Sequence, residues 1–189
     1  MARQKYNGAP WLYDETTGDI VGVKDPDGSE FYFARAADYA YFADSNTQTA
    51  LANTPTVMSF DTPVITDGIT LSGGTKFIMP RGGKYMFTLT AQILNDDTNI
   101  HDFYLWGRMN GTDIPGTATR VAVTSSHGGE PGAVVLERSY MASLSAGDYI
   151  EVVWMTTDAL VSLVPTPASV SPAMPGGPSL VLMISEVAA

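Results

Sequence analysis

From residue 56 onward the chain alternates apolar and polar positions in short runs, each closed by a turn signal. The pattern predicts strands at 56–60, 63–66, 76–79, 84–94, 102–109, 119–123, 133–144, 148–156, 159–164 and 179–187. Between them stand Ser72-Gly73-Gly74, Arg81-Gly82-Gly83, Asn95-Asp96-Asp97, Asn110-Gly111, Gly128-Gly129 and Ala146-Gly147-Asp148, residue types that tolerate the backbone angles of tight turns. No 3.6-residue apolar period competes over this span. Many short strands with regular punctuation predict an all-β fold, and about 130 residues suit an antiparallel jelly-roll sandwich over 56–189.

Two earlier stretches read differently. Over residues 10–34 apolar triplets alternate with Thr16-Thr17-Gly18-Asp19 and Asp25-Pro26-Asp27-Gly28, which predicts a three-stranded β-meander. So small a sheet has too little core to stand alone. Its aromatic residues Trp11, Tyr13, Phe31, Tyr32 and Phe33 must therefore pack on the main domain, a sister subunit or a partner, and the segment 1–35 reads as an anchoring module. Residues 36–55 read as a linker: the run Ala36 to Ala43 suits two turns of helix, and Asp44 to Thr49 is polar.

Both faces of several strands are apolar. In 84–94 one face carries Tyr85, Phe87, Leu89, Ala91 and Ile93, the other Met86, Thr88, Thr90, Gln92 and Leu94. In 148–156 the faces are Tyr149, Glu151, Val153, Met155 and Ile150, Val152, Trp154; in 179–187 they are Leu180, Leu182, Ile184 and Val181, Met183, Val187. A monomeric sandwich leaves one face polar. A second greasy face calls for a cover, either other copies of the chain or its own loops and N-terminal arm, and contiguous apolar patches favour the former.

Composition narrows the function classes. Apolar residues make up 44% of the 189, and charged residues 16%, as in a packed fold. The net charge of −10, with no basic cluster, argues against nucleic-acid binding. There is no cysteine, hence no disulfide framework. No stretch approaches the ~20 apolar residues of a membrane span, and no leader is expected from Met1 to Gly8, so the product is expected to be made in the cytoplasm and to stay out of membranes.

Specific segments carry a resemblance. Gly83-Lys84-Tyr85-Met86-Phe87, Leu144 to Val152 with its Gly147-Asp148, and Ser179 to Ile184 are similar to the strands that define the trimeric jelly rolls of the complement and tumour-necrosis-factor type. The stretches 101–115, 125–129 and 144–154 further resemble phage virion jelly-roll domains found on head decorations, head fibres and tail-fibre tips, and 13–33 resembles an N-terminal module of such proteins. The resemblance implies a homotrimer on the virion surface, with Tyr85, Phe87, Trp154, Leu180 and Leu182 at the threefold contact. It implies a capsid decoration or cement protein held to the major capsid protein, or another virion protein, through its N-terminal region. The alternative it leaves open is a head- or tail-fibre receptor-binding module that holds a host glycan.

Reactive chemistry is sparse. His101 and His127 are the two histidines, each beside polar turn residues, and His127 lacks a nucleophile elbow or a third partner. Gly73-Gly74-Thr75-Lys76 and Gly82-Gly83-Lys84 lack the phosphate-loop spacing. No enzymatic activity and no cofactor are expected. Asp96, Asp97 and Asp102 gather within eight residues and could serve a hard cation such as Ca²⁺, but the spacing has neither the Gly nor the terminal Glu of an EF-hand loop, and a solvated turn is the simpler reading. The proline-rich run 165–178 is expected as a long loop that is neither strand nor helix.

Overall fold

The computed structural model describes residues 11–13, 20–25, 28–32 and 36–188. The chain divides into two units, Met1–Ala37 and Asp38–Ala189. In the first, β1 (Trp11–Tyr13), β2 (Ile20–Lys24) and β3 (Glu30–Tyr32) form an antiparallel sheet in that order. Trp11 pairs with Val23, and Gly22 pairs with both Leu12 and Tyr32. Gly28, at φ +92°, supplies the left-handed residue of the β2–β3 turn, and its N–H donates to Asp25 O at 2.9 Å.

The second unit is an all-β jelly roll. Its strands are β4 (Tyr39–Asp44), β5 (Gln48–Thr49), β6 (Thr56–Val57), β7 (Thr62–Asp67), β8 (Thr70–Ser72) and β9 (Lys76–Ile78). Next come the long β10 (Gly83–Asn95), then β11 (His101–Met109), β12 (Thr112–Asp113) and β13 (Thr119–Val123). The second long strand, β14 (Gly132–Leu144), is followed by β15 (Tyr149–Thr156), β16 (Val161–Leu163), β17 (Ser169–Val170), β18 (Ala173–Met174) and β19 (Leu180–Ala188).

The first sheet runs β14-β10-β19-β4-β7, with β16 continuing beside β10 where β19 stops and β5 beside β16. The second runs β11-β15-β9-β8, with β12 and β13 along β11 and β6 along β15. Successive long strands swap sheets: β10 to β11, β13 to β14, β14 to β15. That alternation makes the jelly roll.

One face of each sheet closes on the other. Phe42, Tyr85, Phe87, Leu89, Leu182 and Ile184 from the first sheet meet Phe77, Phe103, Leu105, Ile150, Val152 and Trp154 from the second, all buried. Phe77 packs on Phe42 and Phe60 with ring centroids 4.9 and 5.1 Å apart, and Phe103 stacks on Trp154 at 5.5 Å.

Within 36–55, expected as a short helix and linker, Tyr39–Asp44 and Gln48–Thr49 are instead strands of the sandwich. Ala40, Phe42 and Asp44 point inward while Tyr39, Tyr41 and Ala43 point outward, a two-residue period that β19 and β7 fix by pairing on either side of β4. Alanine-rich helix propensity yields here to tertiary pairing. The following turn is also tied down: the Gln48 side chain donates to Ser59 O and accepts from Ser59 N, at 2.7 and 3.0 Å. The loop over 165–178 is likewise not structureless. It holds the β17–β18 hairpin and is clasped at its root by the Thr166–Gly177 bridge, while Gln92 donates to Pro178 O and accepts from the Thr166 hydroxyl.

Candidate functional site

Strand alternation decides which residues a neighbouring molecule could touch. Tyr85, Phe87, Trp154, Leu180 and Leu182, expected at a threefold contact, are buried within a single chain and form the core between the two sheets. They cannot meet another subunit while the fold is intact. The positions one residue over face outward.

Across the outer face of the first sheet the register sets these residues in rows. Met141, Met86, Ser185 and Tyr39 are cross-strand partners in one row; Ser139, Thr88, Met183, Tyr41 and Ile65 form the next. Thr88 and Ser139 hydroxyls bond at 3.0 Å inside this surface. Met141 is 66% exposed, Ile65 56%, Met183 49% and Tyr39 46%, so the patch is wet in the isolated chain. A shallow apolar groove runs through it, lined by Tyr39, Tyr41, Ile65, Met86, Thr88 and Met183. Three methionines give the surface adaptable, polarizable contacts. Toward the Asn95 end of β10 the face is mixed, with the pairs Glu137–Thr90, Val135–Gln92 and Ala133–Leu94.

The second sheet differs. Along β15, Val153 and Glu151 lie on the outward face yet are buried in the single chain, as are Ile150, Val152 and Trp154 on the inward one. The extra apolar face read in this strand is thus covered without a partner, whereas that of β10, β14 and β19 is not.

Of the aromatic residues assigned to anchoring, Trp11 lies in β1 and is 44% exposed. Tyr13 lies in β1, Phe31 and Tyr32 lie in β3, and Phe33 falls outside the described residues.

The carboxylates Asp96, Asp97 and Asp102 do not converge. Asp96 is exposed, and Asp102 turns to the Tyr104 hydroxyl and to Arg120, at 3.4 and 3.6 Å. Asp97 instead accepts from His101 Nε2 at 2.6 Å, and Asp158, on the β15–β16 turn, has an oxygen 4.0 Å from the same nitrogen. The His101 hydrogen bond, with further bonds from Asn99 and the Thr98 N–H, pulls the Asp97 pKa down to about 2. Asp158 escapes a reading by local spacing because it comes from a turn more than fifty residues away.

At the opposite end, the base, Asp38 is buried and held by Arg81, whose Nε donates to Oδ2 at 2.9 Å and whose Nη2 donates to Oδ1. The Tyr85 hydroxyl lies 3.2 Å from Asp38 Oδ2 and 3.1 Å from Arg81 O. Glu186 completes the cluster by accepting from Asp38 N at 3.1 Å. In the neighbouring turn Asp148 Oδ2 accepts from Ser145 N and Oδ1 from the Asn110 side chain, which accepts in turn from Tyr149 N. The Gly147-Asp148 segment therefore staples two basal turns together.

No family model matches the chain. No curated protein matches its sequence. Among solved structures it is similar to the globular domain of a zebrafish complement 1qA protein, at 12% identity over 80% of this chain and 98% of that one, with a TM-score of 0.45.

Proposed function

We propose that this chain is a structural protein of a virion surface that works as a homotrimer, each copy burying the outer face of its first sheet against its neighbours. The observation that carries the reading is the exposed patch of Met141, Met86, Met183, Tyr39 and Ile65, over two adjacent rows of an otherwise well-packed sandwich. Stable interfaces bury roughly 1,200–2,000 Å² in total, and apolar area contributes about 25 cal/mol per Å². The face is five strands wide, about 20–25 Å at a strand spacing of ~4.8 Å, and burying it would have to reach that area. The similarity of 101–115, 125–129 and 144–154 to phage jelly rolls supports a place on the virion, as does that of 13–33 to their N-terminal modules. In this reading the 1–37 unit is the anchor on the major capsid protein or another virion protein, and repetition over many copies sums weak contacts into firm attachment.

The test pairs sedimentation with capsid binding. The full chain is expected to sediment as a trimer at micromolar concentration and to decorate capsids. A chain starting at Asp38 keeps the trimer and loses the capsid; one starting at residue 56 loses β4 and with it the fold. A monomeric full chain refutes the assembly, and an Asp38–Ala189 trimer that binds host cells in place of capsids turns the reading to a fibre-type receptor module.

A further inference from the structure

The turns at the end of the sandwich away from the base bring together donors of a different kind. Asp97 Oδ2, His101 Nε2 and Asp158 Oδ2 lie within 4.8 Å of one another, on the β10–β11 turn, the start of β11 and the β15–β16 turn. Each carboxylate is oriented by its other oxygen. Asp97 Oδ1 accepts from the Thr98 N–H at 2.6 Å and the Thr98 hydroxyl at 3.3 Å, and Asp158 Oδ1 accepts from the Leu160 N–H at 2.9 Å. Asp97 Oδ2 also receives a long bond from Asn99, at 3.3 Å. Both Oδ2 atoms are thereby turned toward the imidazole, the outer-shell arrangement by which proteins aim metal ligands. All three side chains are partly exposed, which leaves room for water to complete a coordination sphere.

We propose that Asp97, His101 and Asp158 form a binding site for a borderline divalent transition metal, with Zn²⁺ the ion its donors suit best. One imidazole nitrogen and two carboxylate oxygens match the three-ligand-plus-water pattern of tetrahedral zinc. Ca²⁺, which takes six to eight oxygens, would find two carboxylates and a nitrogen it does not favour. Bonds of about 2.0–2.1 Å set tetrahedral ligand atoms roughly 3.3 Å apart. The 2.6 Å Asp97–His101 contact would open and the 4.0 Å His101–Asp158 separation would close, each by a small side-chain rotation. The ion takes the place of the His101–Asp97 hydrogen bond, and it ties the β10–β11 turn to the β15–β16 turn. The site stands independently of the assembly reading, because all its ligands come from one chain.

Calorimetric titration of the metal-free full chain with ZnCl₂ tests it, repeated with CaCl₂ and on three variants. The expected result is one Zn²⁺ per chain, with affinity lowered by more than the roughly 10–100-fold loss typical of an outer-shell change in both His101→Ala and Asp158→Asn, and unchanged in His127→Ala. Asp158→Asn keeps the side-chain shape, so it reads the ligand even if His101→Ala loosens the turn. Histidine ring resonances add a second readout: Zn²⁺ should shift His101 and leave His127 in place. Absence of binding at millimolar Zn²⁺, Ca²⁺ binding as tight as Zn²⁺, or loss with His127→Ala in place of His101→Ala overturns the proposal.

Discussion

The two faces of the first sheet are built from the same strands and differ in what covers them. On the inner face Tyr85, Phe87, Leu89, Leu182 and Ile184 are sealed by the second sheet; on the outer face Met86, Met183, Met141 and Tyr39 alternate with them and remain exposed. The inner residues are aromatic or branched and fill fixed shapes, while three methionines stand among hydroxyl-bearing residues outside. Rigid packing specifies the fold and a compliant surface suits contact with a second molecule. The contrast also shows why hydrophobicity alone does not locate an interface.

Substitutions on the two faces should separate folding from assembly. The largest effect on folding is expected from Leu182→Ala. Removing a fully buried leucine costs about 3 kcal/mol by loss of burial and a residual cavity. Urea denaturation of the purified chain measures it, and a loss under ~1 kcal/mol would contradict the placement of Leu182 in the core.

Met183→Glu reverses the outcome. As an exposed change it should move the folding free energy of the monomer by no more than about 0.5 kcal/mol. In an assembly it would bring like charges into the apolar contact, so sedimentation should show dissociation with an unaltered circular dichroism spectrum. A variant that unfolds, or one that still assembles, would erase the distinction between the faces.

Asp148→Ala, at the base and on neither face, should have the smallest effect and one that depends on pH. Bonds from Ser145 N and then Asn110 hold the Asp148 pKa below its ordinary 3.8. A depressed carboxylate contributes its stability above the unfolded pKa and loses it as pH falls through the folded one. Melting curves of wild type and variant should therefore differ at neutral pH and converge below about pH 4.

Much of this architecture was legible in the sequence, for identifiable reasons. The long strands β10, β14 and β15 announce themselves by long runs rich in β-branched and aromatic residues, bounded by turns such as Gly82-Gly83 and Gly147-Asp148. β4 was hidden because Ala36, Ala37, Ala40 and Ala43 stand three and four residues apart, as on one face of a helix, and only its pairing with β19 and β7 selects the strand. Short β8 and β12, two or three residues each, exist by hairpin pairing with β9 and β11 and leave almost no local pattern. The residues expected at a threefold contact, Tyr85, Phe87, Trp154, Leu180 and Leu182, lie instead on the inward faces of their strands. The alternation of Tyr85 with Met86 and of Leu182 with Met183 is plain, but which set faces inward depends on where the second sheet lies. The Asp97–His101–Asp158 group was half visible, since Asp97 and His101 are neighbours in sequence while Asp158 arrives through topology.

The base of the sandwich also governs how the domain would carry load. Asp38 leads into β4 and Glu186 lies near the end of β19, and these antiparallel neighbours meet there through a 2.8 Å bond from Glu186 N to Asp38 O. Traction applied at both residues would peel the ladder apart one pair at a time, starting at Tyr39–Ser185, in place of straining all its bonds together. Arg81 and Tyr85 act as a rivet at the point where tearing begins. A pull through residue 38 alone, resisted by neighbours gripping the outer face, would load the same ladder lengthwise, the direction in which every bond shares the force.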